Sequence, residues 1–130
     1  MISIRNRGEG MIDKSVKAWN PLIKRVVEVV EYSHSAVRVI DDEGNKKLLN
    51  TMGVPILHCT GEVDYHGRPV FTGEIIKFRD KEGKAFYGEV VRKSSNIVRY
   101  RKNGQRYEEP LYNIQDFMIV GNIYETPELL

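Results

Sequence analysis

Short apolar runs rich in Val, Ile, Tyr and Phe, separated by Gly, Asn or Asp, extend from Ser15 almost to the end of the chain. That spacing is the signature of an all-β protein. Val16 and Ala18 fall on one face of an extended segment, and Leu22 continues that face across the Asn20-Pro21 break. The stretch Ile23 to Tyr32 contains Val-Val-Glu-Val-Val-Glu. A helix would gather Val26, Val29 and Val30 on one side, but the β-branched valines and the strand-like Ala36 to Ile40 that follow predict a strand. Asp42-Glu43-Gly44-Asn45 has turn chemistry, so Val37 to Ile40 and Lys46 to Leu49 are expected to form a hairpin. Pro55 opens the run Ile56-Leu57, and Tyr65-His66-Gly67-Arg68 predicts a turn before Val70-Phe71.

The second half is more sharply patterned. Glu74 to Arg79 alternates, with Ile76 and Phe78 on one face and Ile75 and Lys77 on the other. The polar loop Asp80 to Gly83 leads into Phe86 to Arg92, where Phe86, Gly88 and Val90 oppose Tyr87 and Val91. Ile97 to Lys102 and Gln105 to Glu109 flank Asn103-Gly104, a dipeptide suited to the two left-handed residues of a type I′ turn. Pro110 ends that pairing, because it has no N–H for the ladder. Leu111 to Phe117 fits one helical turn over an open end of the sheet, Met118 to Tyr124 a last strand, and Glu125 to Leu130 a short tail. So many hairpins must curl, or be covered, to bury a face. The expected fold is a mainly antiparallel, small curled pseudo-barrel with at most one or two short helical turns. Residues 1–14 read as a loose arm and residues 15–130 as a single β domain.

Composition adds bounds. The chain has 130 residues, 41% apolar and 29% charged, which is ordinary for a folded domain. Its 20 Lys and Arg against 18 Asp and Glu give a net charge of +2, too mild to imply a polyanionic partner. Cys59 is the one cysteine, so an intrachain disulfide is excluded. No secretion signal or bilayer-spanning run is read, so the expectation is a cytoplasmic protein without membrane contact.

Three segments carry a family resemblance. Val16-Lys17-Ala18-Trp19-Asn20 resembles the basic-Ala-Trp-Asp opening of the YopX-like family of phage and prophage proteins. Leu57 to Phe78, LHCTGEVDYHGRPVFTGEIIKF, is similar to that family's Thr-Gly, Gly-containing turn and Gly-acidic-Ile strand start. Val120 to Leu130, VGNIYETPELL, resembles its C-terminal signature. The resemblance covers about Ser15 to Leu130 and implies a mostly β pseudo-barrel encoded by a virus-derived gene of a bacterium. It implies no activity. The residues before Ser15 are an addition to the family pattern, and Asn20 stands where an acid is usual.

Local charge is more informative than net charge. Between Arg92 and Tyr107 there are six cations, Arg92, Lys93, Arg99, Arg101, Lys102 and Arg106, and no acid, with Tyr100 and Tyr107 among them. On a strand Arg99 and Arg101 share a face opposite Tyr100, so this hairpin is the candidate surface for nucleic acid. The same cations also suit a strand that must resist edge-to-edge pairing. Pro110 to Leu130 is the opposite pole, with Asp116, Glu125 and Glu128 and no Lys or Arg.

The chemistry of small ligands is sparse. His58, Cys59, Asp64 and His66 are the one cluster of metal-ligand types, yet neighbours on a strand face opposite sides and no ligand set emerges. Cys59 with His34 or His66 is not brought together by spacing, and Asp41-Asp42 and Glu108-Glu109 sit where solvated charge is expected. No cofactor is expected. Trp19, Phe71, Phe78, Phe86, Tyr87, Phe117 and Tyr124 are assigned to the core. The leading expectation is a non-enzymatic module that binds another macromolecule, nucleic acid being the named candidate and another phage or host protein a further one. The alternative is a self-assembling or protein-docking protein, with the basic hairpin against the acidic end. A metal-dependent enzyme using His58, Cys59 and His66 is a third.

Overall fold

The computed structural model describes residues 13–32, 36–40, 44–50 and 54–130. The expected arm up to residue 12, His34, and the Asp41 to Glu43 part of the first hairpin turn lie outside them. The described chain is almost entirely antiparallel β, with eleven strands among the described residues and two single 3-10 turns, Leu111–Asn113 and Pro127–Leu129. It divides into two compact units that meet in sequence at His58 and Cys59.

The first unit contains β1 (Asp13–Asn20), β2 (Arg25–Tyr32), β3 (Ala36–Ile40), β4 (Lys46–Asn50) and the start of β5 (Ile56–Val63). The strands lie in the order β4-β3-β2-β1-β5. β1 begins at Asp13, so the last two residues assigned to the arm are strand. The valine run has a period near three, which a two-residue strand repeat cannot follow without a slip. β2 makes that slip: Val29 pairs with Val39, but Glu31 pairs with Arg38. Val16, Ala18, Val29, Val37, Val39 and Leu49 form the buried cluster, with Val27, Val54 and Ile56 against it.

Leu22 does not continue the face of Val16 and Ala18; it is 68% exposed. The break at Pro21 explains this. Buried Asn20 accepts the Leu22 N–H on Oδ1 at 3.0 Å and the Lys24 N–H on its carbonyl at 2.8 Å, so the chain turns out to solvent. The amide oxygen of Asn20 thus makes the local bond that an aspartate there would make.

The second unit contains the end of β5, β6 (Pro69–Phe71), and an open five-stranded sheet. That sheet comprises β7 (Glu74–Arg79), β8 (Ala85–Arg92), β9 (Asn96–Lys102), β10 (Gln105–Pro110) and β11 (Met118–Asn122), in the order β10-β9-β8-β7-β11. The hairpins fall where the alternation placed them. The closure of a barrel does not follow: β10 and β11 remain as the edges of this sheet. Val70, Ile76, Phe78, Phe86, Val90, Val98, Leu111 and Phe117 form its core. Ile75, on the other face of β7, is also fully buried. Tyr87 is not a core residue; it is 38% exposed.

A buried carboxylate fastens the β5–β6 turn. Asp64, whose side chain is 0% exposed, accepts bonds from the N–H groups of His66, Arg68 and Ile119 and from Nε and Nη2 of Arg68, five in all. Arg68 Nη2 also donates to the Ile119 carbonyl at 2.9 Å, so the turn is tied to β11. Burial pushes the Asp64 carboxyl up, but these bonds to its charged form outweigh that and hold it below its ordinary value. Among the described residues no helix is long and apolar enough to cross a membrane.

Candidate nucleic-acid interface

Asn103 and Gly104 take φ values of 53° and 78°, the left-handed pair that a two-residue hairpin needs, and so fix the register of β9 on β10. Arg101 stands opposite Arg106, Tyr100 opposite Tyr107, and Arg99 opposite Glu108. Directly paired residues point to the same face. The six cations therefore separate into groups with different work.

Glu108 lies one residue beyond the acid-free stretch of sequence and folds back onto it. Its Oε2 is 2.9 Å from Lys93 Nζ and 3.3 Å from Arg99 Nε. The Lys93 hydrogen bond, opposed by desolvation and then reinforced by the charge of Lys93 and by the hydrogen bond and charge of Arg99, holds the Glu108 carboxyl below its ordinary value. Arg92 is also engaged: Nη2 donates to the Cys59 carbonyl at 2.9 Å and Nε to Asn96 Oδ1 at 3.3 Å, while Asn96 Nδ2 donates to the Thr60 carbonyl. Lys102 Nζ sits 5.7 Å from the Phe86 ring centre, on the face opposite Arg101, with Lys84 Nζ 5.6 Å from the same ring.

Arg101 and Arg106 remain. Both are exposed, they face each other across the hairpin, and neither has a carboxylate partner among the described residues. The register extends their row. Gly88 pairs with Tyr100, which sets Tyr87 beside Arg101, and Tyr87 pairs with Lys77. Lys77 Nζ is 6.0 Å from the Tyr87 ring centre. Arg106, Arg101, Tyr87 and Lys77 thus follow one another across β10, β9, β8 and β7 on one face. Arg101, Arg106 and Tyr87 line a cavity of about 460 Å³ together with Arg99, Glu89 and Leu130.

The aromatic ring on the face of the two arginines is therefore Tyr87, not Tyr100 or Tyr107. Tyr100 packs on the opposite face, edge-on to Phe78 at 5.0 Å and stacked with Tyr107 at 5.8 Å. Burial, then the charges of Glu109 and Tyr107, push its hydroxyl above the ordinary tyrosine value. Tyr87 and Lys77 were not candidates from the sequence. The signal was present in the register of two successive hairpins, each set by its own turn.

The other candidate chemistry disperses. Among the described residues no three His, Cys, Asp or Glu side chains are placed to hold a metal. Asp64 is committed to its turn, Cys59 is a half-buried free thiol, and exposed His66 lies edge-on to Tyr65 at 5.5 Å. Asp116 and Glu128 of the acidic segment are exposed.

The fold has a counterpart among solved structures. The crystal structure of protein EF1440 from Enterococcus faecalis is similar with a TM-score of 0.52 and 21% identity, over 89% of this chain and 96% of that one. At that identity the likeness concerns the fold. No curated protein matches the chain. The model of the YopX protein family matches residues 8–130, spanning both units and beginning ahead of Ser15, within the segment read as an arm. The chain belongs to the YopX protein family.

Proposed function

We propose that this protein is a non-enzymatic module of phage or prophage origin that binds nucleic acid in the bacterial cytoplasm, holding phosphates with Arg101 and Arg106. The observation that carries this reading is the direct pairing of those two arginines without a carboxylate between them. Like charges opposite one another on a sheet are mutually repulsive, and an anion between two guanidinium groups relieves that repulsion with charge-assisted bonds. Arg99, by contrast, has Glu108 across from it and contributes less net positive charge.

Fluorescence anisotropy with labelled single-stranded and duplex oligonucleotides, at low and moderate salt, tests the reading. Arg101→Glu with Arg106→Glu should weaken binding by about tenfold or more, since two phosphate contacts are reversed in charge. No binding by the wild type, or equal binding by the double variant, would refute it.

A second reading has one specific observation behind it. Asp116 and Glu128 are exposed, so the basic hairpin of one copy can meet the acidic segment of another. Light scattering separates the two: a monomer at tens of micromolar in low salt, an estimate of the range where weak homodimers form, argues against self-assembly.

A further inference from the structure

We infer that the row Arg106–Arg101–Tyr87–Lys77 takes a single strand with unpaired bases, lying across the β-strands, with a base stacked on Tyr87 between flanking phosphates. This deepens the nucleic-acid reading and rests on it. Neighbouring strands are about 4.8 Å apart, so the row from β10 to β7 spans about 14 Å. Its two arginines are adjacent at one end and its lysine stands at the other, with the aromatic ring between them. Cations on either side of an exposed ring are the arrangement that follows a single strand, whose backbone seeks positive charge and whose bases seek a flat apolar face. A duplex has no base face to offer the ring, because its bases are already stacked on one another.

Exposure and face together separate Tyr87 from the other rings of this sheet. Phe78 and Phe86 are 6% and 7% exposed, and Tyr100 is packed against both. Tyr107, though 40% exposed, pairs and stacks with Tyr100 on the face opposite the arginines, whereas Tyr87 is 38% exposed on their own face with Lys77 Nζ 6.0 Å from its ring centre. The next row, Glu108–Arg99–Glu89, brings acids to both sides of Arg99. A polyanion is therefore directed along the first row and away from the second.

The test uses the full chain with a labelled oligothymidine and a duplex of matched length. Tyr87→Thr keeps a strand-forming residue but removes the ring, and Tyr87→Phe keeps the ring. Single-strand affinity should fall about tenfold in Tyr87→Thr and remain within about twofold of wild type in Tyr87→Phe, with duplex affinity unchanged in both. Circular dichroism and thermal unfolding check that each variant retains the fold. If single strand and duplex bind equally and Tyr87→Thr alters neither, while Arg101→Glu with Arg106→Glu abolishes both, the single-strand inference is overturned and phosphate binding stands. If the wild type binds neither probe, both fall together.

Discussion

Five N–H groups converge on the carboxylate of Asp64, and its replacement leaves buried donors facing one another. Asp64→Asn should cost about 2 kcal/mol at neutral pH, the scale for buried bonds to a charged group. Because the folded-state pKa is lowered, the contribution is fully present above the unfolded-state value of about 4. It is lost as pH falls through the folded-state pKa. Urea unfolding across the acid range should therefore show a shallower pH dependence in Asp64→Asn; equal stability of variant and wild type at neutral pH contradicts the assignment. Gly88 is the second residue where one atom decides. An added Cβ would overlap Val98 Cγ1 and press on the Arg99 carbonyl and Phe78 Cε1. Gly88→Ala should lower stability by about 1–3 kcal/mol, the cost of overpacking, measurable by the same unfolding. Neither residue was identifiable in sequence: Asp64 looked like one of four metal-ligand types, and Gly88 like an alternation partner of Phe86 and Val90.

The hairpins were legible because their signals are local. Alternation around Asp80 to Gly83 and around Asn103-Gly104 locates β7 to β10 to within a residue or two. The valine run was legible as a strand, while its slip was not, since the register depends on β3. The charge pattern misled for a similar reason. A stretch without acids in sequence acquires Glu108 in space, because the turn folds that residue onto Arg99 and Lys93. Glu108→Gln releases both cations toward solvent and removes one negative charge from the hairpin. Binding of a labelled single strand at low salt should then tighten several-fold, with little change in melting temperature because the ion pairs are exposed. An unchanged or weaker affinity shows that Glu108 does not mask this surface.

At the scale of the molecule, the sequence led to an all-β chain and to its family, both of which hold. Closure into a barrel was inferred from the need to bury a face. In the second unit that need is met differently, by β6, the turn at Leu111–Asn113 and the residues around Phe117 contributing to the core of an open sheet. The face of this sheet opposite its core carries Arg106, Arg101, Tyr87 and Lys77 from four successive strands in a row, and the proposed contact depends on that. The most direct test is the salt dependence of single-strand binding by the wild type and by the paired substitution Arg101→Gln with Arg106→Gln. The account predicts that log affinity falls with log salt in both. The slope of the variant should be smaller in magnitude by about 1.4, from two phosphate contacts at about 0.7 each on a single strand. Equal slopes and equal affinities would contradict it.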